Sequence, residues 1–157
     1  MTHEAYMREA IKIAKETEAQ GGAAIGAILV KDGEIIAVGH SLPGLTFDAT
    51  AHGETTAIRA ACQNLKTINL DGCMLYSTLE SCGMCLSAAV WSNLSACYFG
   101  AYASDVPENH YELKDYGAEK LAPQTQRWDG TPVQVTGGIL REKCKALLEG
   151  YKDWTKQ

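Results

Sequence analysis

With 157 residues, 46% of them hydrophobic and 21% charged, the chain has the size and balance of one globular domain and is neither disordered nor low in complexity. Its 14 Lys and Arg against 19 Asp and Glu leave a net charge of −5, which argues against an affinity built on neutralising nucleic-acid phosphates. The longest uncharged runs, 21–30 and 81–100, are broken by Gly, Ser and Asn and fall short of the ~20 continuous apolar residues of a membrane span.

The start, Met1-Thr2-His3-Glu4, leads into a polar, helix-periodic stretch and not into a signal peptide, so a cytoplasmic setting and no membrane partner are expected. Residues 2–20 place Met7, Ala10, Ile11 and Ala14 at three- and four-residue spacing, with Glu4 in the first turn and Gly21-Gly22 as a stop, and predict an amphipathic helix. Residues 25–30 and 35–39 are short apolar segments around Lys31-Asp32-Gly33-Glu34. An Asp-Gly pair there predicts two antiparallel strands joined by a tight turn. After a loop through Pro43 and Gly44, residues 54–62 carry Ala57, Ile58, Ala60 and Ala61 and read as a helix that buries one face. Residues 74–78 then read as a strand, 83–91 as an apolar helix and 96–99 as a strand. Such alternation predicts a sheet covered by helices on both faces. Residues 101–130 are polar and turn-rich, with a helix expected near 112–121. Residues 133–136 read as a short strand, and Leu140, Cys144, Leu147, Leu148 and Tyr151 mark the inner stripe of a closing helix. No internal repeat or linker divides the chain, and residues 1–157 are taken as a single domain.

Two segments carry the residues suited to chemistry, Ala51-His52-Gly53-Glu54 and Ser81-Cys82-Gly83-Met84-Cys85, and each opens a predicted helix. Cys82 and Cys85 are three apart, so both sulfurs face one point on a single helical turn, and thiolates are favoured at a helix N-terminus. With the imidazole of His52 they make a three-ligand zinc site. Three protein ligands leave a fourth tetrahedral position for water, the design of a catalytic site. Glu54, two residues beyond His52, is the natural proton shuttle. The bland alternatives are a redox Cys pair, a closed structural site with Cys73 as fourth ligand, and a solvated carboxylate at Glu54. Cys62, Cys97 and Cys144 fall in apolar-periodic positions and are expected to be buried, while His3 and His110 are expected on the surface. His40 faces either the pocket or solvent, and Trp91 belongs either to the core or to the pocket rim.

At these residues the chain resembles the cytidine deaminase superfamily, whose signature pairs H-x-E with P-C-x-x-C. The likeness runs through residues 24–30, 50–54 and 75–82, and is greatest to small guanine deaminases, fungal cytosine deaminases and tRNA adenosine deaminases. The resemblance implies a three-layer α/β/α sandwich with a five-stranded mixed sheet, a homodimer, a zinc cofactor on His52, Cys82 and Cys85, and hydrolytic deamination with Glu54 moving the protons. It further implies substrate-binding positions at Ile25, Ser41, Gly53, Glu80, Trp91 and Trp154, with the Gly53 N–H and the Glu80 carbonyl holding the base and its amino group. Ser81 stands where the family has proline, and Ser41 where relatives have an asparagine that reads a base edge. Tyr111-Glu112-Leu113 departs from the guanine-enzyme pattern, whereas Asp153-Trp154 is similar to that of fungal cytosine deaminases, with Trp154 either a lid or a pin for the last helix. A free amino-heterocycle is therefore the expected substrate. The alternatives are a tRNA adenosine deaminase, suggested by residues 135–140, and a silent zinc-binding scaffold.

Overall fold

The Asp-Gly pair turns the chain as its residue types require. In the computed structural model, which describes residues 1–107 and 116–151, Asp32 and Gly33 have φ of +51° and +84°, the two positive angles of a type I′ turn. The turn joins β1 (Gly26–Lys31) to β2 (Glu34–His40) as an antiparallel hairpin. Ahead of it runs α1 (His3–Ala19), started by the Thr2 hydroxyl, which accepts the Ala5 N–H at 3.2 Å. The loop expected through Pro43 and Gly44 holds one helical turn, α2 (Pro43–Thr46). Then come α3 (Gly53–Leu65), β3 (Cys73–Leu79), α4 (Gly83–Trp91) and β4 (Ala96–Ala101). The helix expected near 112–121 is confined, among the described residues, to α5 (Ala118–Leu121), and β5 (Gln134–Thr136) and α6 (Arg141–Gly150) close the fold.

The five strands form one mixed sheet in the order β2-β1-β3-β4-β5. β1 pairs antiparallel with both β2 and β3, and the β3–β4 and β4–β5 pairs are parallel. Because side chains alternate along a strand, β3 sends Tyr76 to one face and Cys73 and Leu75 to the other. The first face packs with Met7 and Ala10 of α1 and Leu148 of α6. The second packs with Ala57 and Ala61 of α3 and Ala89 of α4. The result is the three-layer α/β/α sandwich.

Gly39 sets how closely α3 lies on the sheet. A Cβ there would stand 1.8 Å from the Gly53 carbonyl oxygen and 2.7 Å from the Ala57 nitrogen, both backbone atoms that no rotamer relieves. Gly39→Ala is expected to lift the start of α3 and cost about 3 kcal/mol, at the upper end for overpacking. A thermal melt within a degree of the parent would refute that account of the contact.

His3 is exposed as expected, yet its Nδ1 lies 2.8 Å from the hydroxyl of buried Tyr76 and its ring packs 4.4 Å from that of Tyr98. His40 points neither to a pocket nor freely to solvent: strand alternation puts it opposite Gly39, against α1, with Nδ1 2.8 Å from the Thr17 hydroxyl. Thr17 donates its one proton to the Ile13 carbonyl at 2.7 Å, so Nδ1 of His40 is the donor to the Thr17 hydroxyl. Cys73, Cys97 and Cys144 are buried and Cys62 is half-buried. His110 lies outside the described residues.

Arg141, the first residue of α6, donates to both carboxylate oxygens of Asp105 at 2.9 and 2.8 Å and lies 4.8 Å from the Tyr102 ring centre. That hydrogen-bonded guanidinium holds the Asp105 carboxyl below its usual range. A carboxyl lowered in the folded state contributes stability above its unfolded pKa of about 4 and loses it as pH falls through the folded value. Melting temperature should therefore drop more between pH 5 and 3 in the parent than in Arg141→Met, as thermal scans across that range would register.

Candidate metal centre

His52 and Cys82 occupy equivalent places. Each is the N-cap of its helix, α3 or α4, with extended backbone (φ −70°, ψ 159° and φ −71°, ψ 170°), and neither spends its side chain on capping. Both side chains are thus free to face the gap between the two helix starts, where unpaired N–H groups favour negative charge. One turn into α4, Cys85 adds the second sulfur. His52 Nδ1 lies 3.7 Å from Cys82 Sγ and 3.6 Å from Cys85 Sγ, and the sulfurs are 3.6 Å apart.

These separations test the fit of a metal directly. A tetrahedral zinc with Zn–S of about 2.3 Å and Zn–N of about 2.0–2.1 Å requires edges of roughly 3.8 Å between sulfurs and roughly 3.6 Å between nitrogen and sulfur. All three edges match to about 0.2 Å. Among the described residues this is the one group of three His, Cys, Asp or Glu side chains whose donor atoms, all within 4.8 Å of one another, suit an ion. Cys73, at the start of β3, is not part of it, so the closed four-ligand alternative has no support in the geometry.

The three donors divide their protons unevenly, with Cys82 the one drawn toward the thiolate form. The Cys82 thiol is drawn down to about 4, first by the hydrogen bond it shares with the Cys85 sulfur and then, against the opposing effect of burial, by His52. The Cys85 thiol, its partner in that bond, is pushed up by the same contact and by burial. His52 is raised chiefly by its hydrogen bond to Cys82. Glu54 is 4% exposed, and burial lifts its carboxyl above the usual range, partly offset by His52 and by the Ser81 hydroxyl. A solvated helix-start carboxylate is therefore excluded for Glu54.

Of the positions implied for substrate, Ile25, Ser41, Gly53 and Glu80 are buried. Ser41 follows β2, and its carbonyl accepts the Ala23 N–H at 3.1 Å. Gly53 is crowded, with Gly39 oxygen 3.2 Å and Ala27 nitrogen 3.5 Å from where a Cβ would stand. Trp91 is not core: it is 80% exposed and borders an apolar groove of about 330 Å³ with Leu86, Val90 and Leu121. α4 is apolar on every side, so periodicity gave no means of choosing its buried face. Trp154 and residues 111–113 lie outside the described residues. The Glu80 side chain, read above only for its carbonyl, accepts the N–H groups of Ala103 at 2.9 Å and Glu119 at 3.0 Å. No sequence signal marks such a contact, since its partners are backbone groups 23 and 39 residues away.

A mixed sheet that brings two helix starts together around one imidazole and two sulfurs defines an α/β/α protein with a candidate zinc site. The family model of the cytidine and deoxycytidylate deaminase zinc-binding region matches residues 1–101, and the chain belongs to that family. It is 38% identical to the tRNA-specific adenosine deaminase of Bacillus subtilis (strain 168) over 94% of this chain and 87% of that one. It is 41% identical to the guanine deaminase of the same organism over 71% of this chain and 72% of the relative. The solved structure of guanine deaminase from Nitrosomonas europaea superposes with a TM-score of 0.74 at 26% identity, covering 94% of this chain and 83% of that one.

Proposed function

We propose that the chain is a zinc-dependent aminohydrolase that releases ammonia from a free nucleobase or similar small amino-heterocycle. The observation that carries this reading is a buried carboxylate, Glu54, two residues from a ligand in a donor triangle of zinc dimensions. His52, Cys82 and Cys85 would hold the metal, which when bound supplies Lewis acidity and a nucleophilic water near neutral pH. Glu54 takes the proton released as the nucleophile forms, delivers it to a ring nitrogen, and carries a second proton to the departing amine. Its burial suits both duties, because a raised carboxyl pKa lies closer to the working pH. The Gly53 N–H and the Glu80 carbonyl hold the base edge and the amino group, Ile25 walls the ring, and Ser41 offers one hydroxyl in place of an amide. Trp91 belongs to the rim, and Trp154 keeps the substrate-binding role that the resemblance implies. One domain spans residues 1–157.

A small uncharged substrate is supported by the composition around the centre: neither 41–54 nor 78–91 contains a Lys or Arg, whereas a polyanion calls for cations near its phosphates. Deamination of adenosine in tRNA is the second reading, favoured by the 94% coverage of the chain by its match to the Bacillus subtilis tRNA-specific enzyme, against 71% for the guanine deaminase match. The deciding experiment is ammonia release by the zinc-loaded protein from cytosine, isocytosine, guanine, adenine, their nucleosides, pterins, aminotriazines and tRNA. Turnover of one free base supports the first reading, and turnover of tRNA alone replaces it with the second.

A cytoplasmic homodimer belongs to the same proposal. The outer stripe of α4, Met84, Ser87, Ala88 and Trp91, carries no charge and supports self-association. Light scattering should report twice the monomer mass, and Trp91→Glu should shift it toward the monomer.

A further inference from the structure

Glu80 is 7% exposed, and burying a carboxylate costs far more than burying an apolar side chain of similar size. Its environment explains how the charge is tolerated. Oε2 accepts the N–H of Ala103, first residue of a 3₁₀ turn at Ala103–Asp105, and Oε1 accepts the N–H of Glu119 in the first turn of α5. Both donors are helix-start groups with no partner inside their own turns, so one carboxylate gathers two separate chain segments. The fit is close: a Cβ on Gly117 would stand 2.4 Å from Oε1. Next to this junction, Gly117 bridges Cys82, and the Ala118 N–H donates to the Ser81 carbonyl at 2.9 Å. A cavity of about 250 Å³ opens there, lined in part by Tyr102, Ala103, Ser104 and Gly117.

We propose that the Glu80 carboxylate is a positioning residue, which pins the 103–105 turn and the start of α5 against the Cys82-bearing turn and so fixes the chain beside the centre for substrate. The functional part of this rests on the deaminase reading; the tether itself does not. Packing alone would be met by an apolar residue of the same volume, whereas two fixed N–H acceptors are met only by a side chain with two suitably aimed oxygens. Glu80→Gln keeps the shape but sets an amide N–H₂ against one of the two donors. Glu80→Asp keeps the charge but is one methylene too short to reach both. Ala103→Pro leaves residue 80 unsubstituted, removes one donor and sets the ring Cδ against Oε2 in its place.

The test uses the zinc-loaded full chain and these three variants, read by amide hydrogen exchange, bound zinc and steady-state kinetics. Expected are exchange faster by about tenfold or more at Glu119 in the Gln and Asp variants, and at Ala103 in at least one of them. Ala103→Pro is expected to raise KM as the Glu80 variants do. Zinc should remain at one per chain, and KM should rise by about tenfold with a smaller change in kcat, the mark of lost positioning and not of lost chemistry. Unchanged exchange at both amides overturns the tether. Faster exchange with an unchanged KM overturns the positioning role while deamination stands. If the parent chain deaminates nothing, the deaminase reading fails, and the exchange rates still decide whether Glu80 tethers the two segments.

Discussion

Replacing Glu54 with Gln is expected to slow ammonia release by about 10³-fold or more, near the upper range for loss of a general acid–base group, while zinc stays bound at the parent stoichiometry. The variant is nearly isosteric, Glu54 donates no atom to the His52, Cys82 and Cys85 triangle, and the neutral amide spares the site an uncompensated buried charge. Retained fold and retained metal with lost turnover would separate proton transfer from structure. Glu54 is 4% exposed at the second position of α3, where a purely structural carboxylate would gain more from solvent. A variant as active as the parent would assign the protons elsewhere, and a parent without any turnover would leave the silent zinc-binding scaffold.

The second large effect is loss of the metal. Cys85 is fully buried and its sulfur closes two of the three edges of the donor triangle. With Cys85→Ala only two protein donors remain, and zinc bound per chain, read by elemental analysis after dialysis, should fall from one toward zero. Stability should follow, because a metal held by the folded chain alone adds to folding free energy, about 4 kcal/mol when free metal is a thousand times Kd. The parent should therefore melt higher as zinc is added, and Cys85→Ala should melt at one temperature whether zinc or chelator is present. A zinc-dependent melt in the variant would show that the ion sits on other ligands.

Legibility differed sharply among the elements. The nine-residue α4 begins and ends where its apolar run does, at Gly83 and Trp91, because a helix bounded by a Cys N-cap and Ser92-Asn93 carries its start and stop locally. Its orientation was not legible, since a helix apolar on all sides names no inner face, and Trp91 turned out exposed. His40 was readable only through its neighbour: once Gly39 is known to face α3, alternation sends His40 to α1. In the stretch 101–130, polar composition without period marks no long element, and the short turns among its described residues are held by contacts such as Glu80 with Ala103 and Asp105 with Arg141.

Spacing along the chain alone determined the parts of the centre. A separation of three positions from Cys82 to Cys85 puts two sulfurs on one helical turn, and one of two positions from His52 to Glu54 puts a carboxylate beside an imidazole at another helix start, because helical geometry is local. Whether those two starts meet was decided by tertiary structure. The sheet order β2-β1-β3-β4-β5 sets α3 and α4 side by side on one face, bringing Nδ1 of His52 within 3.7 Å of a sulfur 30 residues away. The same holds for the two carboxylate oxygens of Glu80, which meet Ala103 and Glu119 only in the folded chain. A carboxylate that accepts backbone N–H groups leaves no mark on its partners' identity, so only the folded chain reveals what Glu80 holds.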